Sequence, residues 1–175
     1  MDVDGPLNLE NFHDLEGFTC GSLVVDKWIK DHARDNSKRL NGRVCVYLRP
    51  GTNSVVGIYA VTMRTVGREY LNNAYRSRSP EEGVPAYFIG QFAVSVCLQR
   101  QGLGARMLAD ILKGFKYQQE NTGGFPAPFI YLDAVDEVAA KFWVKNGFKH
   151  FPKINGCTYL RGTKFLQDYI YPYAL

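Results

Sequence analysis

The sequence predicts an α/β fold, a mixed sheet flanked by helices, in a single domain over residues 1–175. Three observations predict it. Stretches rich in β-branched and aromatic residues alternate with stretches of helical apolar spacing. Two strand-like stretches, Tyr87–Cys97 and Phe129–Asp133, are joined through a helical pattern, and such a crossover sets neighbouring strands parallel. Another pair is separated only by "RPGTN", whose turn chemistry sets its strands antiparallel.

The elements follow in order. Gly21-Ser22 leads into a helix from Leu23 to about Asn36, in which Trp28, Ile29 and Ala33 share a buried face and Lys27, Lys30 and Arg34 point outward. The antiparallel hairpin spans Arg43–Leu48 and Ser54–Val61. Residues 66–85 are polar and irregular, which suits a short helix or an exposed loop, and Tyr87–Cys97 reads as a central strand. Leu103, Met107, Leu108, Ile111, Leu112 and Phe115 recur at helical spacing over about 102–118, until "ENTGGFPAP" breaks the pattern. After the short strand Phe129–Asp133 comes the helix of "VDEVAAKFWVKNGF", with an apolar stripe of Val138, Ala139, Phe142 and Trp143. Gly147 suits a left-handed cap at its end. Thr158–Tyr171 offers one or two further strands, and there are no repeats or domain linkers.

Composition excludes several classes. With 46% hydrophobic and 22% charged residues, wholesale disorder is ruled out. No apolar run approaches the roughly 20 residues that span a bilayer. The acidic start, "MDVDGPLNLENFHDLEG", lacks the apolar core of a secretory signal. A soluble, cytoplasmic protein without a membrane partner is expected. Cys20, Cys45, Cys97 and Cys157 show no CxxC spacing and read as buried free thiols. His13, His32 and His150 form no metal-spaced pair, so no metal site is expected. A net charge of +4 is too small to argue for nucleic acid, but its distribution is uneven. Lys27, Lys30, Arg34, Lys38, Arg39 and Arg43 face only Asp31 and Asp35 in the same stretch. Arg64, Arg68, Arg76 and Arg78 are opposed mainly by Glu69. Such clusters hold phosphates or are solvated surface, and charge alone favours the surface.

The run Gln99-Arg100-Gln101-Gly102-Leu103-Gly104 stands between a strand and a helix. It lacks the GxxxxGK[ST] of a P-loop and the third glycine of GxGxxG. What remains is a turn in which Gly102 and Gly104 put no side chain between backbone N–H groups and a ligand. The first amides of the helix are unpaired and its dipole adds partial positive charge, with Arg100 and Arg106 alongside. Several consecutive amides suit a diphosphate better than a single phosphate. A tight corner without a ligand is the other reading.

This Q-x-x-G-x-G after a central strand resembles the acetyl-CoA pyrophosphate loop of the Gcn5-related N-acetyltransferases. "LDAVDEVAAKFWVKNGF" resembles that family's A-x-x-F-Y-x-x-x-G-F strand and helix. "FTCGSLVVDKWIKDHA" resembles the F-x-C-G-x-x-x-x-D-x-W-L opening of one branch, the acetyltransferase toxins of toxin–antitoxin pairs. The match runs from about Phe12 to Tyr159. The resemblance implies a mostly antiparallel central sheet with a splayed parallel strand pair at the acetyl-CoA site. It implies transfer of acetyl from acetyl-CoA to the α-amine of an aminoacyl-tRNA, which blocks translation. Gln99, Arg100, Gln101, Gly102, Leu103, Gly104, Ala105 and Arg106 would hold the pyrophosphate. Phe92, Ala93 and Val94 would pair with the pantetheine arm, and Phe142 and Trp143 would lie at the thiol end. Lys27, Lys30, Arg34, Lys38, Arg39 and Arg43, with Arg64, Arg76 and Arg78 second, would meet the tRNA. A ribbon-helix-helix antitoxin and a homodimer are the partners implied.

One departure stands out. The branch usually carries tyrosine, the acid proposed for the leaving thiolate, where this chain has Trp143. Indole N–H only donates a hydrogen bond and does not ionise usefully. Either another group or water serves, or no acid is needed, or activity is impaired; Trp143 reads equally as a core aromatic. The alternatives are an acetyltransferase for a small-molecule or protein amine, and a weakly catalytic acyl-CoA-binding module.

Overall fold

The computed structural model describes residues 2–39, 41–71, 76–77, 80–120, 127–151 and 157–162. The order of elements is β1 (Asp4–Asn8), α1 (Leu23–Lys38), β2 (Arg43–Leu48), β3 (Val55–Val66), β4 (Val84–Val94), α2 (Leu103–Glu120), β5 (Phe129–Asp133), α3 (Glu137–Lys145), β6 (Lys149–His150) and β7 (Thr158–Gly162). The strands form a sheet in the order β1-β2-β3-β4-β5-β7-β6. β1–β2, β2–β3, β5–β7 and β6–β7 are antiparallel, and β4–β5 is parallel as the crossover requires, pairing Tyr87 with Ile130 and Ile89 with Leu132. Packing groups the chain into two compact units, Met1–Thr62 with Gly90–Tyr117, and Met63–Ile89 with Gln118–Leu175.

In the first unit, β2 and β3 are covered on both faces, which is why Val44–Leu48 reads as an unbroken apolar run rather than an alternating one. Val44, Val46, Ile58 and Ala60 turn toward Ile29 and Ala33 of α1. On the opposite pleat, a Cβ on Gly57 would come within 2.8 Å of Met107 Sδ, so α2 lies directly on β3 there. The Tyr47 hydroxyl donates to Asp110 of α2 at 2.8 Å. β1 was not legible in the sequence: Asp-Gly-Pro-Leu-Asn has no apolar alternation, and the strand exists because its backbone pairs with β2 at the sheet edge.

In the second unit, Val84, Ala86, Phe88, Phe129 and Tyr131 pack together with Val66 and Phe151. Asp136 caps α3 by accepting the Ala139 amide at 2.7 Å, and Gly147 takes φ 84°, the left-handed conformation expected at its end.

Several expectations shift. β4 begins three residues before Tyr87 and ends at Val94 instead of Cys97, because the Ser95 amide turns to Val56 O and a 3-10 turn takes Val96–Leu98. β3 runs on to Val66, past the apolar stretch that marked it. The α3 stripe is narrower than predicted: Val138, in the first turn, is 72% exposed, and burial centres on Trp143. Of the free cysteines, Cys45 is buried and Cys20 half-buried, but Cys97 and Cys157 are exposed, since they sit in the turn after β4 and just before β7 rather than in strand interiors. The irregular stretch 66–85 contains a 3-10 turn at Arg68–Tyr70, with 72–75 and 78–79 outside the described residues. The tail strand expected over 158–171 is observed as Thr158–Gly162, the remainder lying outside them. No described helix is long and apolar enough to cross a membrane.

Candidate functional site

Two residues of the Gln99–Ala105 loop, which leads into α2, take left-handed backbone. Arg100 has φ 60°, alone among the described non-glycine residues in this region, and Gly102 has φ 93°. A side chain in that conformation costs about 1–2 kcal/mol. No packing explains the strain, because Arg100 is exposed and a Cβ on Gly102 would meet nothing within 4 Å. The first intrahelical bond of α2 runs from the Arg106 amide to Gly102 O at 3.1 Å. The amides of Leu103, Gly104 and Ala105, ahead of that bond, meet no backbone acceptor among the described residues. Left-handed residues followed by a helix N-terminus form a concave array of donors with an open face, suited to an anion.

The two glutamines of the loop turn back onto main-chain carbonyls. Gln99 Nε2 donates to Cys20 O at 2.8 Å and to Val94 O at 3.0 Å, and two carbonyl acceptors fix which end of the amide is nitrogen. Gln101 Nε2 donates to Cys97 O at 2.8 Å. Arg106 reaches Gly5 O at 3.5 Å and lies 5.9 Å from the centre of the Tyr47 ring, so its guanidinium is directed at β1 and β2. The loop therefore offers a ligand its backbone and the Arg100 cation. Preceding it on β4, Ala93 is buried and Phe92 and Val94 are half-buried. The parallel pairing to β5 has its last partners at Ile89 and Leu132.

Beside the loop lies the Phe18–Asp26 stretch. Phe18 is buried in the core, and Gly21 takes φ 86°. Asp26 Oδ1 accepts the Cys20 amide at 2.8 Å and Oδ2 accepts the Thr19 hydroxyl at 2.6 Å. Burial works against the Asp26 charge, but those two bonds and Lys30 hold its carboxyl below the usual range. Cys20 is the reverse case. Burial and the neighbouring Asp26 push its thiol up to about 11, so it is inert near neutral pH. Sequence reasoning missed the work of Asp26; the signal was an acidic side chain in the first turn of a helix, six residues beyond Cys20.

In the second unit, Trp143 is 4% exposed, its ring edge-on to Phe142 (centroids 5.0 Å) and Phe148 (5.2 Å). That environment is one of packing.

The basic residues divide sharply. Along α1, Lys27 pairs with Asp31 (3.0 Å) and Arg39 with Asp35 (3.9 Å), exposed contacts of little strength, while Lys30 and Lys38 are exposed on the same helix and Arg43 at the start of β2. Lys27, Lys30, Arg34 and Lys38 share one helical face. Arg34, however, is committed to the backbone, donating to His13 O at 2.6 Å. In the second unit Arg76 donates to Glu69 O and Leu71 O, and Arg68 to Arg76 O. The Arg64 guanidinium lies 3.8 Å from the centre of the Phe88 ring. Arg78 falls outside the described residues.

No protein-family model matches the sequence. Solved structures do match. AtaT in complex with acetyl-methionyl-tRNAfMet is 21% identical, with 95% of this chain and 98% of that one covered and a TM-score of 0.80. A tyrosine-to-phenylalanine mutant of KacT is 17% identical over 95% and 97%, with a TM-score of 0.79. AtaTR bound with acetyl-CoA is 21% identical over 95% and 96%, with a TM-score of 0.80. The chain thus has the Gcn5-related N-acetyltransferase fold, in the form found in the acetyltransferase toxins AtaT and KacT.

Proposed function

We propose that this chain is an acetyl-CoA-dependent N-acetyltransferase acting on the α-amine of an aminoacyl-tRNA, and so a toxin that blocks translation. The observation that carries the reading is the strained, open-faced loop from Arg100 to Ala105, whose unpaired amides suit a diphosphate. Support comes from shared fold with proteins solved bound to acetyl-CoA and to an acetylated aminoacyl-tRNA.

In this reading the loop amides and Arg100 hold the pyrophosphate, and Phe92–Val94 extends the sheet toward the pantetheine arm by backbone bonds. The free α-amine, with pKa about 7.7–8.0, attacks the thioester carbonyl directly. The tetrahedral oxyanion is met by a backbone N–H at a strand end. It collapses by expelling the CoA thiolate, and the ammonium proton passes to water. A thiol of pKa about 8.5 leaves without an acid, so tryptophan at position 143 is compatible with turnover. Lys27, Lys30, Lys38, Arg39 and Arg43 are the cations placed to meet tRNA phosphates, since their side chains are exposed and at most weakly paired. Arg34, Arg64 and Arg76 act on the protein itself. A ribbon-helix-helix antitoxin, a homodimer and a cytoplasmic location belong to the same proposal.

Trp143 favours one second reading, an acyl-CoA-binding module with weak catalysis, because its side chain is built into a packed aromatic group. Incubation with labelled acetyl-CoA, a pool of charged tRNAs and a panel of small and protein amines separates the readings. Label on the aminoacyl ends is expected. Label only on other amines points to a different acceptor, and binding without transfer points to the module.

A further inference from the structure

The Thr19–Asp26 stretch is a brace with two sides. On one side Asp26 accepts the Cys20 amide (2.8 Å) and the Thr19 hydroxyl (2.6 Å), and Thr19 Oγ1 in turn accepts the Gly21 amide at 3.2 Å. On the other side the same short segment grips the end of β4. Thr19 O accepts the Val96 amide at 2.9 Å, and Cys20 O accepts Gln99 Nε2 at 2.8 Å. Gln99 uses its second amide hydrogen on Val94 O, so one side chain ties the strand end, the brace and the start of the loop together. Arg100 follows immediately, in the left-handed conformation that aims the loop amides outward. A strained backbone persists only where its surroundings over-determine it. Here part of that determination runs through the Asp26 carboxylate, beside the Gln101 bond to Cys97 O and the Ser95 bond to Val56 O.

We infer that Asp26 is a positioning residue: through the Cys20 peptide and Gln99 it holds the Arg100–Ala105 loop in its ligand-ready form. The inference rests on the reading of that loop as the acetyl-CoA grip. Asp26 touches none of the loop residues from Arg100 onward in its hydrogen bonds, so its effect passes through the two links from the brace to the end of β4, and of these the Gln99 bond is the one that enters the loop. The same geometry gives Cys20-Gly21 a role that needs no thiol chemistry: Cys20 contributes its amide and carbonyl, and Gly21 the left-handed turn into α1.

The test is a double-mutant cycle with Asp26→Ala and Gln99→Ala, read as acetyl-CoA affinity by calorimetry, beside backbone amide order parameters at Gly102 and Gly104 in the ligand-free protein. Each single substitution is expected to weaken binding about 5- to 10-fold. The double variant should lie within about twofold of the weaker single, because both remove one linkage. Asp26→Asn keeps an acceptor for the Cys20 amide and should recover most of the affinity. Order parameters at both glycines should fall in each alanine variant. Losses that multiply in the double variant, or order parameters that do not move, overturn the inference. If Asp26→Ala does not fold, Thr19→Val removes one arm of the brace and carries the same cycle. If the unsubstituted protein binds no acetyl-CoA, the proposed function fails, and the order parameters alone decide the brace.

Discussion

The loop from Gln99 to Ala105 and the helix end around Trp143 use their residues in opposite ways. In the loop, glutamine side chains bind carbonyls so that backbone amides are left without acceptors, and a non-glycine residue is held in left-handed backbone. Around Trp143 the aromatic side chains pack on one another, and the amides of Asn146, Gly147 and Phe148 return to the carbonyls of Phe142, Trp143 and Val144. The first arrangement gives up local stability and leaves donors open to an anion. The second returns its turn amides to the carbonyls of its own helix. Trp143, where the resembled branch carries tyrosine, stands in the packed region, while the Q-x-x-G-x-G pattern stands in the loop with open amides.

That contrast can be broken by substitution. The largest effect is expected from Trp143→Ala, which should destabilise the fold by about 3–5 kcal/mol in denaturant unfolding. A loss under 1 kcal/mol would mean that the ring is not a packing element. Next comes Gly102→Ala. Its Cβ meets nothing, so the fold should survive, but left-handed backbone then costs about 1 kcal/mol. Acetyl-CoA binding should weaken roughly 5- to 10-fold by calorimetry, and unchanged affinity would make the loop a corner only. Arg100→Gly should separate strain from charge. Thermal unfolding should show stability held or raised by up to about 1 kcal/mol, while acetyl-CoA affinity falls with the lost cation. The smallest change is expected from Trp143→Tyr, with the rate of acetyl transfer within about twofold because the thiolate leaves unaided. A large increase in rate would show that a missing acid limits the enzyme.

Much of this was legible in the residues. Periodicity located α1, α2, β2 and β5 nearly to their ends, since each has a face that must be buried. The parallel β4–β5 pair followed from the crossover alone. β1 was invisible because its five residues carry no apolar alternation and are held by backbone pairing. The loop was legible because glycines mark the backbone. The brace was not, because Gln99 and Cys20 are joined by a bond between a side chain and a carbonyl 79 residues away. The hydrogen bonds within the basic clusters were hidden for a similar reason. Composition counts Arg34 and Arg76 as cations facing outward, whereas each folds its guanidinium onto main-chain carbonyls. Which cations remain for a polyanion depends on carbonyls that no pattern of charge reveals.

The most direct test is an amide-resolved titration of the labelled protein with acetyl-CoA and, separately, with acetyl-pantetheine, which lacks the diphosphate. Acetyl-CoA should move the amide resonances from Arg100 to Ala105, those of Gly102 and Gly104 among them, and acetyl-pantetheine should leave them nearly still. Resonances in this loop that stay in place at saturating acetyl-CoA would contradict the account.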